Sequence, residues 1–249
     1  MDIWATYQTE VQVTPISGSL YRTVENQAQV ATMALVHDLD EQDALEKMLD
    51  TNKPSSIQDT NGLHYLLATP FRYPPLRHGS RFGTNQQRGI FYASCTLQAS
   101  LAEDAYYRLM FRYHSATLRT RKAKNDTRTI FEAYYNTNSG IRLQDFPFNQ
   151  ARNILRSPNS YHATQQLGQY MRDEGVVAFE YESARDINAG INVALFSPQA
   201  IASPRPTAQY DVLMQIHEEG VKYRIADKEL VFHFPLTQFL FNDELPLPA

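Results

Sequence analysis

The sequence is short of cysteine, tryptophan and glycine, and it has no long apolar run. A single thiol, Cys95, excludes an internal disulfide framework and suits a reducing compartment, so a cytoplasmic location is expected. The seven histidines, at 37, 64, 78, 114, 162, 217 and 233, never fall at metal-ligand spacing, and no second thiol exists, so no metal site is expected. Neither G-x-G-x-x-G nor a Walker loop is present, which leaves Rossmann-type dinucleotide binding without support. The opening stretch MDIWATYQTEVQVTP lacks a basic run followed by an apolar one, so it does not read as a secretory signal. No segment approaches the roughly eighteen apolar residues that a membrane span requires. Positive charge is not in excess either: 23 Lys and Arg against 27 Asp and Glu give a net charge of -4. That balance argues against a general nucleic-acid binder or an anionic-membrane binder.

What is abundant is tyrosine and phenylalanine, 15 and 13 residues in a chain of 249 that is 43% hydrophobic. That length and composition fit a globular protein of one large domain or two small ones, with ample material for a core. Residues 26–50 read as two helices. The second, DEQDALEKMLD, has Asp40 as N-cap, Asp43 in its first turn, and Ala44, Leu45, Met48 and Leu49 on one face. TNKPSSIQDTNG carries turn chemistry and suggests a boundary, dividing the chain into an N-terminal helical extension, 1–62, and a main domain, 63–249.

Within the main domain, GIFYAS reads as a short strand with Ile90, Tyr92 and Ser94 on one face, Phe91 and Ala93 on the other. From Thr96 to about Tyr113 the spacing predicts a helix, with Leu97, Leu101, Ala105 and Leu109 on the buried stripe and Glu103 off it. ATLRTRKAKNDTR, with Arg119, Arg121, Lys122, Lys124 and Arg128, reads as an exposed basic connector. TIFEAYY, VVAFEYES and INVALFS read as strands, and SPNSYHATQQLGQYMRDEG as a helix ending near Gly175. The final part alternates like two or three antiparallel strands joined by Glu-Gly and Ala-Asp-Lys turns. Helices are too few for a regular βαβ winding, so the expected class is α+β around a mixed or antiparallel sheet.

Three polar residues recur across a loop, a strand and a helix: Arg81, Tyr92 and Glu103. Each has an ordinary structural use, as an ion-pair partner, a core ring and a solvated helix residue. Cys95, just before a predicted helix N-terminus, is a second candidate, because a helix dipole lowers a thiol pKa. A buried apolar role competes with that reading.

The stretches GSRFG…GIFYASCTLQASLAE and GVVAFEYESARDINAGINVALFSPQAI resemble the RES domain family. The shared pattern is a Gly-x-Arg-aromatic loop, a strand with a Tyr, a helix of Ala-x-x-Glu character, and a Tyr-x-Ser-x-Arg loop before an Asn-x-Ala-Leu-Phe strand. The similarity spans about residues 63–205. Phe82 stands where the family commonly has Trp, and the arm before residue 62 and the connector at 114–128 are additions. The resemblance implies an ADP-ribosyltransferase-like fold and a toxin that consumes NAD by hydrolysis or phosphorolysis. A protein ADP-ribosyltransferase using the same site is the alternative, and a non-catalytic nucleotide- or partner-binding module is another. It also implies an Xre-type helix-turn-helix antitoxin as partner, with no direct nucleic-acid contact and no membrane. Self-association is compatible with the aromatic composition and the arm.

Carried onto this sequence, the resemblance implies four catalytic residues: Glu103, Arg81, Tyr92 and Ser183. Glu103 would stabilise the developing ribosyl cation, and Arg81 would clamp the pyrophosphate with its planar fork. Tyr92 would stack on the nicotinamide or ribose, and Ser183 would fix the Glu103 carboxylate or a ribose hydroxyl. Arg72 and Arg185 are further candidates for phosphate contacts.

Overall fold

A computed structural model describes residues 1–26, 41, 44, 48, 60–73, 75, 77–115 and 124–247. In chain order the elements are α1 (Ile3–Tyr7), β1 (Thr14–Glu25), α2 (Tyr65–Arg72), β2 (Phe91–Ser94), α3 (Leu97–His114), β3 (Lys124–Arg142), α4 (Arg152–Leu155), α5 (His162–Asp173), β4 (Ala178–Glu182), β5 (Ile191–Leu195), β6 (Ala208–Ile216), β7 (Gly220–Ile225) and β8 (Leu230–Pro235). The eight strands form one sheet in the order β1-β2-β5-β4-β3-β6-β7-β8, and β1 also pairs with β3. Five strands therefore close a circuit, β1-β2-β5-β4-β3, and three extend from it as a wing. Only the β3–β4 pairing is parallel. The class is α+β with a mixed sheet.

The long strand β3 joins ring to wing. Its β-branched and aromatic run TIFEAYY suits a pleated surface buried on one side. One edge pairs antiparallel with β1, from Thr14↔Gly140 to Glu25↔Arg128. The other edge carries β6 at Lys124–Glu132 and, farther along, β4 at Gly140–Arg142.

Two expectations change here. Residues 14–25, assigned to the N-terminal helical extension, are instead the strand β1 and belong to the same sheet as the main domain. Before β1 the expected arm holds the short helix α1, and of the two helices expected at 26–50 only residues 26, 41, 44 and 48 are described, the last three helical. The basic connector ends sooner than expected, because β3 starts at Lys124 and Arg128 is buried. Its guanidinium is neutralised by Asp104 at 3.0 Å, a partner too distant in sequence to be read from the charge run. Arg119, Arg121 and Lys122 lie outside the described residues.

Helix α3 is organised as its spacing predicts. Thr96 caps it, its hydroxyl accepting from the Ala99 amide at 3.2 Å. Leu101, Ala105 and Leu109 are buried against Ile130 of β3 and the apolar residues of β6 and β7. The final stretch of chain folds back onto the helix: the Tyr106 hydroxyl donates to the Pro246 carbonyl, and Gln238 donates to the Arg185 carbonyl at 2.8 Å. Helix α5 packs on the loop that precedes β2, and only glycine permits it. A Cβ at Gly168 would collide with the Phe82 carbonyl. Among the described residues no helix is long and apolar enough to cross a membrane.

Candidate active site

A cleft of about 430 Å³ opens between the loop before β2, strands β1 and β2, and helix α3. Arg81, Tyr92, Glu103 and Arg185 all line it. Ser183 does not reach the opening; it is fully buried directly behind Glu103. Arg72, at the end of α2, is not among the lining residues.

The loop that presents Arg81 is tightly closed. Ser80 and Gly83 exchange backbone hydrogen bonds at 2.7 and 3.4 Å, and Gly79 has φ +72, where any Cβ would strike the Gly83 carbonyl. From the strand below, the Tyr92 hydroxyl accepts from the Phe82 amide at 3.1 Å and meets Ser80 Oγ at 2.9 Å. Its hydroxyl thus braces the Arg81 loop while its ring lines the cleft. Burial pushes this phenol up to about 12, so it is neutral at physiological pH.

The Arg81 guanidinium donates to the carbonyls of Leu155 and Ser157 at 3.2 and 2.8 Å and lies 4.5 Å over the Tyr161 ring. Arg185 is buried, stacks 3.5 Å from the Tyr106 ring centre, and donates to Pro158 O and the Tyr161 hydroxyl. Tyr161 therefore holds both arginines in place. Each guanidinium has five N–H donors, so both arginines keep donor capacity beyond these bonds, and both line the cleft.

Glu103 sits on the cleft face of α3, and one of its oxygens is doubly held. Ser183 Oγ donates to Oε1 at 2.7 Å, and so does Asn192 Nδ2 at 2.7 Å. Ser183 Oγ in turn accepts from the amides of Arg185 and Asp186, each at 3.0 Å. Asn192 Oδ1 accepts from Ser94 Oγ at 2.7 Å. No described residue bonds Oε2.

The neighbouring acid, Asp104, is engaged differently: Arg128 at 3.0 Å, Arg108 at 3.4 Å and the Tyr223 hydroxyl at 2.8 Å surround it.

Cys95 is not poised as a nucleophile. Burial raises its thiol to about 11, and its contact is the Tyr135 hydroxyl at 3.8 Å. The sequence reading assigns no site role to Asn192, Ser94 or Tyr161, although Asn192 opens the Asn-x-Ala-Leu-Phe strand of the family pattern and stands as an amide inside the apolar run INVALF. Arg22 of β1, also missed, borders the cleft with its guanidinium 5.1 Å over the Phe91 ring. Burial lowers its pKa to about 10.

A closed five-strand ring with an arginine loop and a carboxylate at one cleft, and a serine buried behind the carboxylate, defines an α+β class of protein. The family model of the RES domain matches residues 56–215. This chain belongs to the RES domain family. Among solved structures it is similar to the MbcT toxin chain of the M. tuberculosis MbcT–MbcA toxin–antitoxin complex. The TM-score is 0.50 at 10% identity, over 85% of this chain and 92% of that one. No curated protein matches the sequence.

Proposed function

We propose that this protein is a toxin that degrades NAD by cleaving the nicotinamide–ribose bond, passing ADP-ribose to water or phosphate. The observation that carries the reading is the meeting of Arg81 and Glu103 at one cleft, with Oε2 of Glu103 left open to a ligand. Cleavage of this bond builds positive charge on the ribose C1′ and ring oxygen, while nicotinamide departs as a neutral, competent leaving group. The site therefore needs an anion beside the ribose and a clamp on the pyrophosphate more than a strong general acid.

Glu103 is the anion. Unit charges 4 Å apart at an effective dielectric near 20 attract by about 4 kcal/mol, of which only the part gained on reaching the transition state accelerates the reaction. Arg81, held by two carbonyls and stacked on Tyr161, is pre-organised to meet phosphate oxygens. Tyr92 lines the floor with its ring. The RES membership and the likeness to a chain from a toxin–antitoxin complex support a protein partner of the Xre-type antitoxin class, one whose binding closes this cleft.

The test is a time course of NAD loss by the purified protein with and without phosphate, products resolved. Nicotinamide release is expected, with ADP-ribose or its 1-phosphate as the second product. Label appearing instead in a single protein band from lysate would mean that a side chain is the acceptor. NAD binding without turnover would overturn the enzymatic reading.

A further inference from the structure

We infer that Asn192 and Ser94 are positioning residues that, together with Ser183, dedicate Oε1 of Glu103 to the protein and Oε2 to the substrate. The inference rests on the NAD-cleaving reading above and deepens it.

The directions of the hydrogen bonds leave little freedom. An ionised carboxylate can only accept, so whatever faces Oε1 must donate. Ser183 satisfies this because both acceptor positions of its hydroxyl are taken by the Arg185 and Asp186 amides. Its one proton points at Glu103.

Asn192 could present either its oxygen or its nitrogen. Glu103 decides: Oε1 accepts from the amide nitrogen, so Oδ1 is turned toward Ser94 and takes its hydroxyl proton. The geometry of the sheet makes this stiff. Ser94 of β2 and Tyr181 of β4 are the cross-strand partners of Asn192 on β5, so the amide stands on the middle of three paired strands. Ser94 and Asn192 are each 2% exposed. Water is thereby kept from competing for Oε1, and the carboxylate cannot rotate without breaking two short bonds at once. Two neutral donors also hold the charge in place without cancelling it, which a lysine or arginine at position 192 would do.

The test pairs kinetics with a measurement that needs no substrate. Asn192→Ala is expected to lower kcat for NAD about 10–100-fold while KM changes less than threefold, because the clamp on the pyrophosphate is untouched. Asn192→Asp places a second carboxyl within bonding distance of Oε1, so the two share a proton; the acid limb of the rate profile should move up by about one pH unit or more. Ser94→Ala should fall between wild type and Asn192→Ala, since the amide then keeps its bond to Glu103 but loses the one that steadies its oxygen. Thermal melts check that each variant folds. The carboxyl ¹³C titration of Glu103, followed by NMR in wild type and Asn192→Asp without NAD, reads the coupling directly. An unchanged titration in a folded Asn192→Asp protein overturns the positioning role. A shifted titration in a protein whose wild type never cleaves NAD supports the positioning and overturns the proposed function instead.

Discussion

Glu103 and Asp104 are adjacent on one helix, yet they stand in opposite surroundings. The wall around Glu103 is built of neutral donors, Ser183 and Asn192, which occupy one oxygen and leave the other facing a cleft. The cluster around Asp104 is built of cations, Arg128 and Arg108, with the Tyr223 phenol closing the second oxygen. Helical geometry turns consecutive residues by about 100°, so although both acids line the cleft, Glu103 meets Ser183 and Asn192 while Asp104 meets Arg128 of β3 and Tyr223 of β7. On the proposed function, the carboxylate held by neutral dipoles is the one that meets the substrate. One ringed by charge is a structural joint between α3, β3 and β7.

The strongest way to break this contrast is Asp104→Ala. It leaves the buried Arg128 without its counter-charge, and loss of one partner of such a pair costs about 3–5 kcal/mol. Denaturant titration should show that loss, and an unchanged midpoint would return Asp104 to the surface class.

Next is Glu103→Gln, which keeps shape and removes charge. NAD turnover should fall about 10²–10³-fold, the range for one pre-organised electrostatic group, with the melting temperature little changed. Wild-type-like turnover would remove Glu103 from the mechanism.

Alkaline pH sharpens the comparison more gently. Burial holds Tyr92, which braces the Arg81 loop, at about 12 against an ordinary value near 10. The folded protein thus keeps a proton that the unfolded chain gives up. Stability from this group is complete below about pH 10 and declines as the pH climbs through about 12. Tyr92→Phe should flatten that decline in denaturation measured from pH 9 to 12, and an identical slope would mean other tyrosines dominate.

The smallest expected effect is at Cys95. With its thiol raised to about 11, native protein at pH 8 should react with a thiol reagent far more slowly than unfolded protein. Cys95→Ala should retain NAD turnover within about twofold.

The sequence made the Glu103 side of this contrast legible and hid the other. Periodicity placed α3 and put Glu103 off its buried stripe, because that stripe is a local, 3.6-residue signal. The same pattern offered no reading of Asp104, whose partners are Arg128 and Tyr223, 24 and 119 positions away. Arg128 was taken for a solvated connector residue since a charge run looks identical whether or not a distant acid meets it. The strand β1 was missed for a related reason: TPISGSLYRTVE alternates weakly, and its partner β3 begins about a hundred residues later. Asn192 carries meaning only beside Glu103, 89 positions off. The family resemblance brought Arg81, Glu103 and Ser183 forward where spacing alone could not. Arg72, a further candidate outside the family pattern, is not among the residues that line the cleft.

The segment that returns to α3 has a bearing on how the cleft is held. Tyr106 is seated by Pro246, and the loop carrying Arg185 by Gln238, so the helix and loop flanking the cleft are secured by residues far from both in sequence. A chain cut at residue 229 keeps every side chain assigned to the proposed reaction, but lacks β8 and the segment after it. Such a chain should be silent toward NAD. Turnover by a protein ending at residue 229 would show that the segment is dispensable.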